Sequence, residues 1–102
     1  MTTEVLITGA GGFIGKALVP ALSAAGFDVT AAYRTVSDAP GIQWNIGSSA
    51  DLRTLPGSID TVVHLAGIAH AAAGPSALDH YREINVEGTK HLAVAAAKSG
   101  VR

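Results

Sequence analysis

Thr8, Gly9, Ala10, Gly11, Gly12, Phe13, Ile14 and Gly15 form the segment with the clearest chemical purpose. They follow a short apolar run and precede an amphipathic stretch. Such a turn brings unshielded backbone amides and the positive end of a helix dipole to one point, which suits the oxygens of a pyrophosphate. Gly9 permits a tight turn off the strand, Gly12 lets a phosphate approach the backbone, and Gly15 lets the helix lie close on the sheet. The spacing departs from Gly-x-Gly-x-x-Gly, which would need a glycine where Ile14 stands, and a P-loop lysine is missing.

Other reactive side chains are sparse. His64 lies in an apolar run, where a core histidine with satisfied hydrogen bonds is a simpler reading than a catalytic one. His70 follows that run and is balanced between a functional group and an exposed loop residue. His80 and His91 read as solvated positions on the last helix, and no metal site is expected. Tyr81 and Asn85 have the spacing of a Tyr-x-x-x-Lys pair with asparagine at the fourth place, and Tyr81 reads as a core residue. Asn85, beside Ile84 and Gly88, is expected to be buried and to need hydrogen-bond partners.

These groups must be held by alternating strands and helices. Val5 to Ile7 reads as a strand buried on both faces. Ile14, Ala17, Leu18, Ala21, Leu22 and Ala25 form a helical stripe closed by Gly26. Pro20 falls within it and predicts a kink or compensated bend, because a proline inside a helix costs about 3 kcal/mol. Further strands are expected at Val29 to Tyr33, Ile42 to Ile46 and Thr61 to Ala66. A short helix fits Ala50 to Leu55. A long helix is expected from Ala77 to Lys98, with Tyr81, Ile84, Gly88, Leu92 and Ala95 on one face and Gly100 closing it. Right-handed crossovers then give an α/β, Rossmann-type doubly wound parallel sheet, first half only, with strand order 3-2-1-4.

Bulk properties narrow the class. The 102 residues are 48% hydrophobic and 15% charged, with a net charge of −1. This favours one domain, or part of one, and excludes a basic nucleic-acid surface. No cysteine is present, and the first 27 residues, interrupted by Glu4, four glycines and Lys16, read as neither a leader nor a membrane span. A cytoplasmic protein that engages neither nucleic acid nor membrane is the expectation.

Three segments in order resemble the extended short-chain dehydrogenases/reductases, the NAD-dependent epimerase/dehydratase family. Thr8 to Gly15 is similar to the family's Thr-Gly-x-x-Gly-Phe-Ile-Gly signature. Asp60-Thr61-Val62-Val63-His64-Leu65-Ala66-Gly67 resembles its fourth-strand signature, and Asn85-Val86-Glu87-Gly88-Thr89 a segment of its fourth helix. The resemblance implies an NAD(P)-binding Rossmann part over 1–102 that belongs to a nucleotide-sugar epimerase, dehydratase or 4-keto reductase working by hydride transfer. Its implied cofactor residues are Gly9, Gly11, Gly12, Phe13, Ile14 and Gly15 at the pyrophosphate, Asn45 and Ile46 near the adenine, Leu65, Ala66 and Gly67 past the riboses, and Asn85 on the helix. Asn45 stands where the family usually has aspartate, and its amide oxygen can still accept a bond from adenine.

NAD-selective relatives place a carboxylate about 18 residues beyond the last glycine. Here that position is Tyr33, followed by Arg34, which predicts NADP(H) through the guanidinium, with NAD(H) as the alternative. The resemblance also implies a Ser or Thr after a fifth strand, a Tyr-x-x-x-Lys on the next helix and a sugar-binding domain. None is encoded before Val101-Arg102, so no turnover is expected from this chain alone. Its fourth strand should present an open edge prone to self-association, with a homodimer as the simplest partner. Two non-enzymatic readings stand beside the enzyme: an NAD(P)-sensing or regulatory module, and an interaction domain that keeps only the fold.

Overall fold

The computed structural model describes residues 3–33, 41–43, 55, 58–66 and 77–101. Four parallel strands, β1 (Glu4–Thr8), β2 (Asp28–Tyr33), β3 (Ile42–Gln43) and β4 (Thr61–His64), form one sheet in the order β3-β2-β1-β4. The doubly wound order expected from the alternation of elements is therefore observed. The continuation of β3 to Ile46, and the short helix from Ala50 to Leu55 except its last residue, lie outside the described residues.

A period of two along the strands builds both sides of the sheet. Val5, Ile7 and Ala31 face one way and meet Leu18, Val19 and Leu22 of helix α1 (Phe13–Ala24). Leu6 and Ala32 face the other way, against Leu92 and Ala95 of helix α3 (Thr89–Lys98), with Leu55 and Ile59 in the same cluster. Three layers result. Leu6 and Ile7 are fully buried, so the central strand is apolar on both faces for a structural reason.

Helix α1 runs through Pro20, which faces solvent, and ends in a Schellman motif. Phe27 N–H donates to Leu22 O and Gly26 N–H to Ser23 O, with Gly26 at φ +97. That left-handed residue is the expected glycine stop. The buried stripe, however, is Gly15, Leu18, Val19 and Leu22, while Ile14, Ala17, Ala21 and Ala25 are exposed. The stripe read from the sequence shared Leu18 and Leu22 but was turned about one residue round the helix. A glycine heads the true contact face, and a count of apolar side chains gives it no weight.

The long helix is also different from the expectation. It comprises α2 (Ala77–Tyr81), a π-helical segment (Arg82–Gly88) and α3, in unbroken succession. Its inner face is the expected one: Tyr81 and Ile84 are half-buried, and Gly88, Leu92 and Ala95 are buried. The widened turns alter the hydrogen bonding without losing this stripe, because the apolar residues still find the sheet. Thr89 N–H turns to Val86 O, and the Thr89 hydroxyl donates to Asn85 O at 2.8 Å.

Candidate functional site

The carboxyl ends of β1, β2 and β4 lie side by side, where β1 feeds α1 on one face of the sheet while α3 packs on the other. In open α/β sheets this switch point is where a crevice forms. The register sets Thr8 beside Ala32 on one side and His64 on the other. Gly9 to Gly12, Tyr33, Leu65 and Ala66 are thereby brought together.

Gly9 has φ +65, and a Cβ there would stand 2.6 Å from Ala66 N and 2.7 Å from the Leu65 carbonyl carbon. Two separate constraints, the left-handed turn and the passage of the β4 exit, require glycine here. A Cβ at Gly15 would lie 2.6 Å from Ala10 O. The close approach expected of Gly15 is thus made to the turn's own backbone, not to a strand. Gly12 differs: a Cβ there would meet nothing nearer than Gly9 O at 3.4 Å. Among the described residues, the space over Gly12 is otherwise open.

Gly12 is also the N-cap of α1, with no side-chain hydrogen bond to the cap and no acidic residue in the first turn. Gly12 N–H donates to Gly9 O, and Lys16 N–H to Gly12 O. The amides of Phe13, Ile14 and Gly15 precede the first possible intrahelical acceptor, so they remain directed out of the helix end. Phe13 is 96% exposed and Ile14 61% exposed, which puts two apolar side chains at the rim of this amide cluster. Gly11 faces the Tyr33 ring, whose Cδ1 lies 3.2 Å from where a Cβ would be. The end of β2 therefore carries an aromatic ring beside the turn and no carboxylate. Asp28 lies exposed at the opposite end of β2, paired with Glu4, and does not restore one.

Leu65 and Ala66 leave β4 under firm control. Their N–H groups both donate to Thr8 Oγ1, each at 3.1 Å, and Leu65 N–H also reaches Thr8 O at 3.2 Å. His64 Nδ1 lies 2.7 Å from Thr8 Oγ1, and Nε2 lies 2.9 Å from Thr89 Oγ1. The ring is half-buried with both nitrogens bonded, the satisfied histidine that was expected, and burial lowers its pKa from 6.5. His64 also walls an apolar groove of 340 Å³ with Val62, Thr89, Leu92 and Val101. Among the described residues no strand pairs with the outer side of β4. At the other end of the strand, Asp60 Oδ2 accepts Glu4 N–H at 2.8 Å and Asp60 N–H donates to Glu4 O, fixing the β1–β4 register.

Asn85 requires a correction. It lies in the π segment and is exposed, not buried. The buried stripe passes through its neighbour Ile84 and through Gly88, and one step along the π segment turns Asn85 off that face. Its backbone carbonyl is joined to the site through Thr89. Arg34, Asn45, Ile46, Gly67 and His70 lie outside the described residues. His91 is exposed, and among the described residues no group of side chains could hold a metal ion. Nor is any described helix long and apolar enough to cross a membrane. Composition and pattern gave no hint of the part played by Thr89; only its position four residues after Asn85 and one after Gly88 marked it.

The chain is similar to known proteins. A 3-beta-hydroxysteroid dehydrogenase of Mycolicibacterium neoaurum is 34% identical over 97% of this chain and 30% of its own length. A UDP-glucose 4-epimerase of Vibrio cholerae is 35% identical over 100% of this chain and 33% of its own. The crystal structure of a short-chain dehydrogenase/reductase superfamily protein from Agrobacterium tumefaciens with bound NAD superposes with a TM-score of 0.82. It is 31% identical, over 97% of this chain and 30% of that one. The chain thus spans about a third of the length of the relatives it matches. The profile of the NAD dependent epimerase/dehydratase family matches residues 5–102, and the chain belongs to that family.

Proposed function

We propose that residues 1–102 form the dinucleotide-holding part of an enzyme that moves hydride at a secondary alcohol or ketone of a nucleotide sugar. The single observation that carries this is the turn at Gly12, where uncapped first-turn amides face space left open by the described residues. Dinucleotide phosphates fit that cradle in charge and in room. The amides of Phe13, Ile14 and Gly15 would hold the pyrophosphate, and Leu65 and Ala66 would pass the riboses. Gly67, Asn45 and Ile46 are assigned to the same ligand by their motifs, and Asn85 to the helix beside it. When bound, the nicotinamide supplies the hydride acceptor or donor. Neither tyrosine is followed four residues later by lysine, so the acid–base pair of such an enzyme is assigned to none of these residues. The nucleotide-sugar class rests on the motif resemblance and on the epimerase among the relatives.

Arg34 is assigned to the 2′-phosphate of NADP(H). The support is the neutral Tyr33 ring against Gly11, which offers no carboxylate to repel that phosphate. Calorimetric titration with NAD(H) and NADP(H), before and after Arg34→Ala, tests both layers. NADP(H) should bind more tightly, and Arg34→Ala should weaken it at least about tenfold more than NAD(H). Equal weakening of the two removes Arg34 from the 2′-phosphate, and binding of neither cofactor by the unaltered chain removes the dinucleotide site.

A further inference from the structure

Beside that site runs a chain of hydrogen bonds whose direction is determined by counting protons. Thr89 Oγ1–H is spent on Asn85 O, so toward His64 Nε2 the hydroxyl can only accept. Nε2 must therefore carry the ring proton. At the other end, Thr8 Oγ1 accepts Ala66 N–H and one arm of the Leu65 N–H, whose other arm goes to Thr8 O, and these two contacts occupy its lone pairs. Its own proton is left for His64 Nδ1, which must then be bare. Two independent counts, made from opposite ends, give the same neutral tautomer.

We propose that His64 is a positioning residue for the cofactor site: as the Nε2–H tautomer it joins the Thr8 hydroxyl to the Thr89 hydroxyl, tying the end of the π segment to the Leu65–Ala66 backbone. The relay runs Thr8 to His64 to Thr89 to the Asn85 carbonyl, with each donor pointing the same way. Aligned bonds of this kind polarise one another. At its origin it fixes the one oxygen that holds two successive amides of the β4 exit, and Gly9 allows that exit no room to shift. The π segment has a role in this geometry. With Thr89 N–H directed to Val86 O, the Asn85 carbonyl becomes the acceptor for the Thr89 hydroxyl, which orients that hydroxyl's lone pairs toward the ring. The link to cofactor affinity rests on the dinucleotide reading; the relay itself does not.

The test uses the 102-residue chain with ¹⁵N-labelled histidine. Long-range ¹H–¹⁵N spectra at neutral pH should show His64 with a protonated Nε2 and a bare Nδ1, and a protonated Nδ1 overturns the proposal. Thr89→Val then removes the acceptor while keeping β-branching and helix propensity, and Thr89→Ser restores it. In Thr89→Val the Leu65 and Ala66 amides should exchange about tenfold faster with solvent, the equivalent of one hydrogen bond. Amides of the β1–β2 ladder should be unchanged, and Thr89→Ser should return to the original rate. Unchanged exchange at Leu65 and Ala66 in Thr89→Val overturns the relay. The dissociation constant for the bound dinucleotide should rise about threefold to tenfold in Thr89→Val and recover in Thr89→Ser. Faster exchange with unaltered affinity overturns the positioning role. A wild-type chain that binds neither NAD(H) nor NADP(H) defeats the dinucleotide reading, and with it the positioning role, while the tautomer and exchange results decide the relay separately.

Discussion

The β1–α1 turn and the β4 exit lie side by side at the carboxyl end of the sheet and reach their shapes by opposite means. The first is made by omission. Gly9 and Gly15 lack side chains where backbone comes close, Gly12 has open space over it among the described residues, and the helix that follows starts with its amides uncapped. The second is made by saturation: Thr8 Oγ1, both nitrogens of His64 and the Thr89 hydroxyl are each engaged. An unsaturated helix end can bind an anion, whereas a saturated strand exit can only hold its place. The site needs both, a receptive side and a rigid one.

If the glycines of the turn divide into those required by folding and one kept for a ligand, substitution separates them. Gly9→Ala should have the largest effect, a loss of about 3 kcal/mol or more in urea denaturation, since it combines a left-handed backbone with a Cβ 2.6 Å from Ala66 N. A loss below about 1 kcal/mol would mean that the β4 exit can yield, and the contrast with the saturated side would fail. Gly12→Ala should cost no more than about 1 kcal/mol, because φ is −78 and the nearest atom is at an ordinary 3.4 Å. Its dinucleotide affinity should nevertheless fall at least about tenfold in titration, as the methyl enters the approach to the phosphates. A Gly12→Ala chain that folds and binds normally would show that the free space is not the ligand's.

The two regions were unequally legible in the sequence. The turn was readable because its signal is local: glycine spacing, an apolar strand before and a helix after are contiguous, and they led to the sheet order as well. The long helix was readable in extent and buried face, through Ile84, Gly88, Leu92 and Ala95, because burial against the sheet leaves an apolar stripe. Its π segment left no such trace. It shows only in the hydrogen bonds of the folded chain, where Thr89 N–H turns to Val86 O and the Thr89 hydroxyl, in contact with a histidine 25 residues earlier, donates to Asn85 O. His64 was read correctly as satisfied, yet its partners, Thr8 at a separation of 56 residues and Thr89, arise only when β1, β4 and the helix assemble. Asn85 was misjudged in burial alone: the buried face runs through Ile84 and Gly88, while Asn85 is exposed and its carbonyl accepts the Thr89 hydroxyl. The stripe of α1 was misplaced because Gly15, its most buried member, adds nothing to a hydrophobic count.

The smallest effect expected is also specific to the saturated side. Burial lowers the pKa of folded His64 below 6.5, near which an unfolded histidine titrates. Above 6.5 the ring is neutral in both states, and its contribution to folding is fully present. As the pH falls through 6.5 the unfolded chain takes up a proton that the folded ring resists, so stability declines until the pH has passed below the folded pKa. Protonation would also give Nδ1 a hydrogen directed at Thr8 Oγ1, whose lone pairs already serve Leu65 and Ala66. One of those bonds would have to be released. His64→Gln removes this titration while leaving His70, His80 and His91 in place, so the difference between the two proteins isolates the ring. The urea midpoint of the unaltered chain should fall relative to that of His64→Gln as the pH is lowered from about 7.5 to about 5.5, with little relative change above that range. Parallel pH profiles for the two proteins would mean that the ring accepts its second proton at no cost, and the saturated side would be looser than its hydrogen bonds imply.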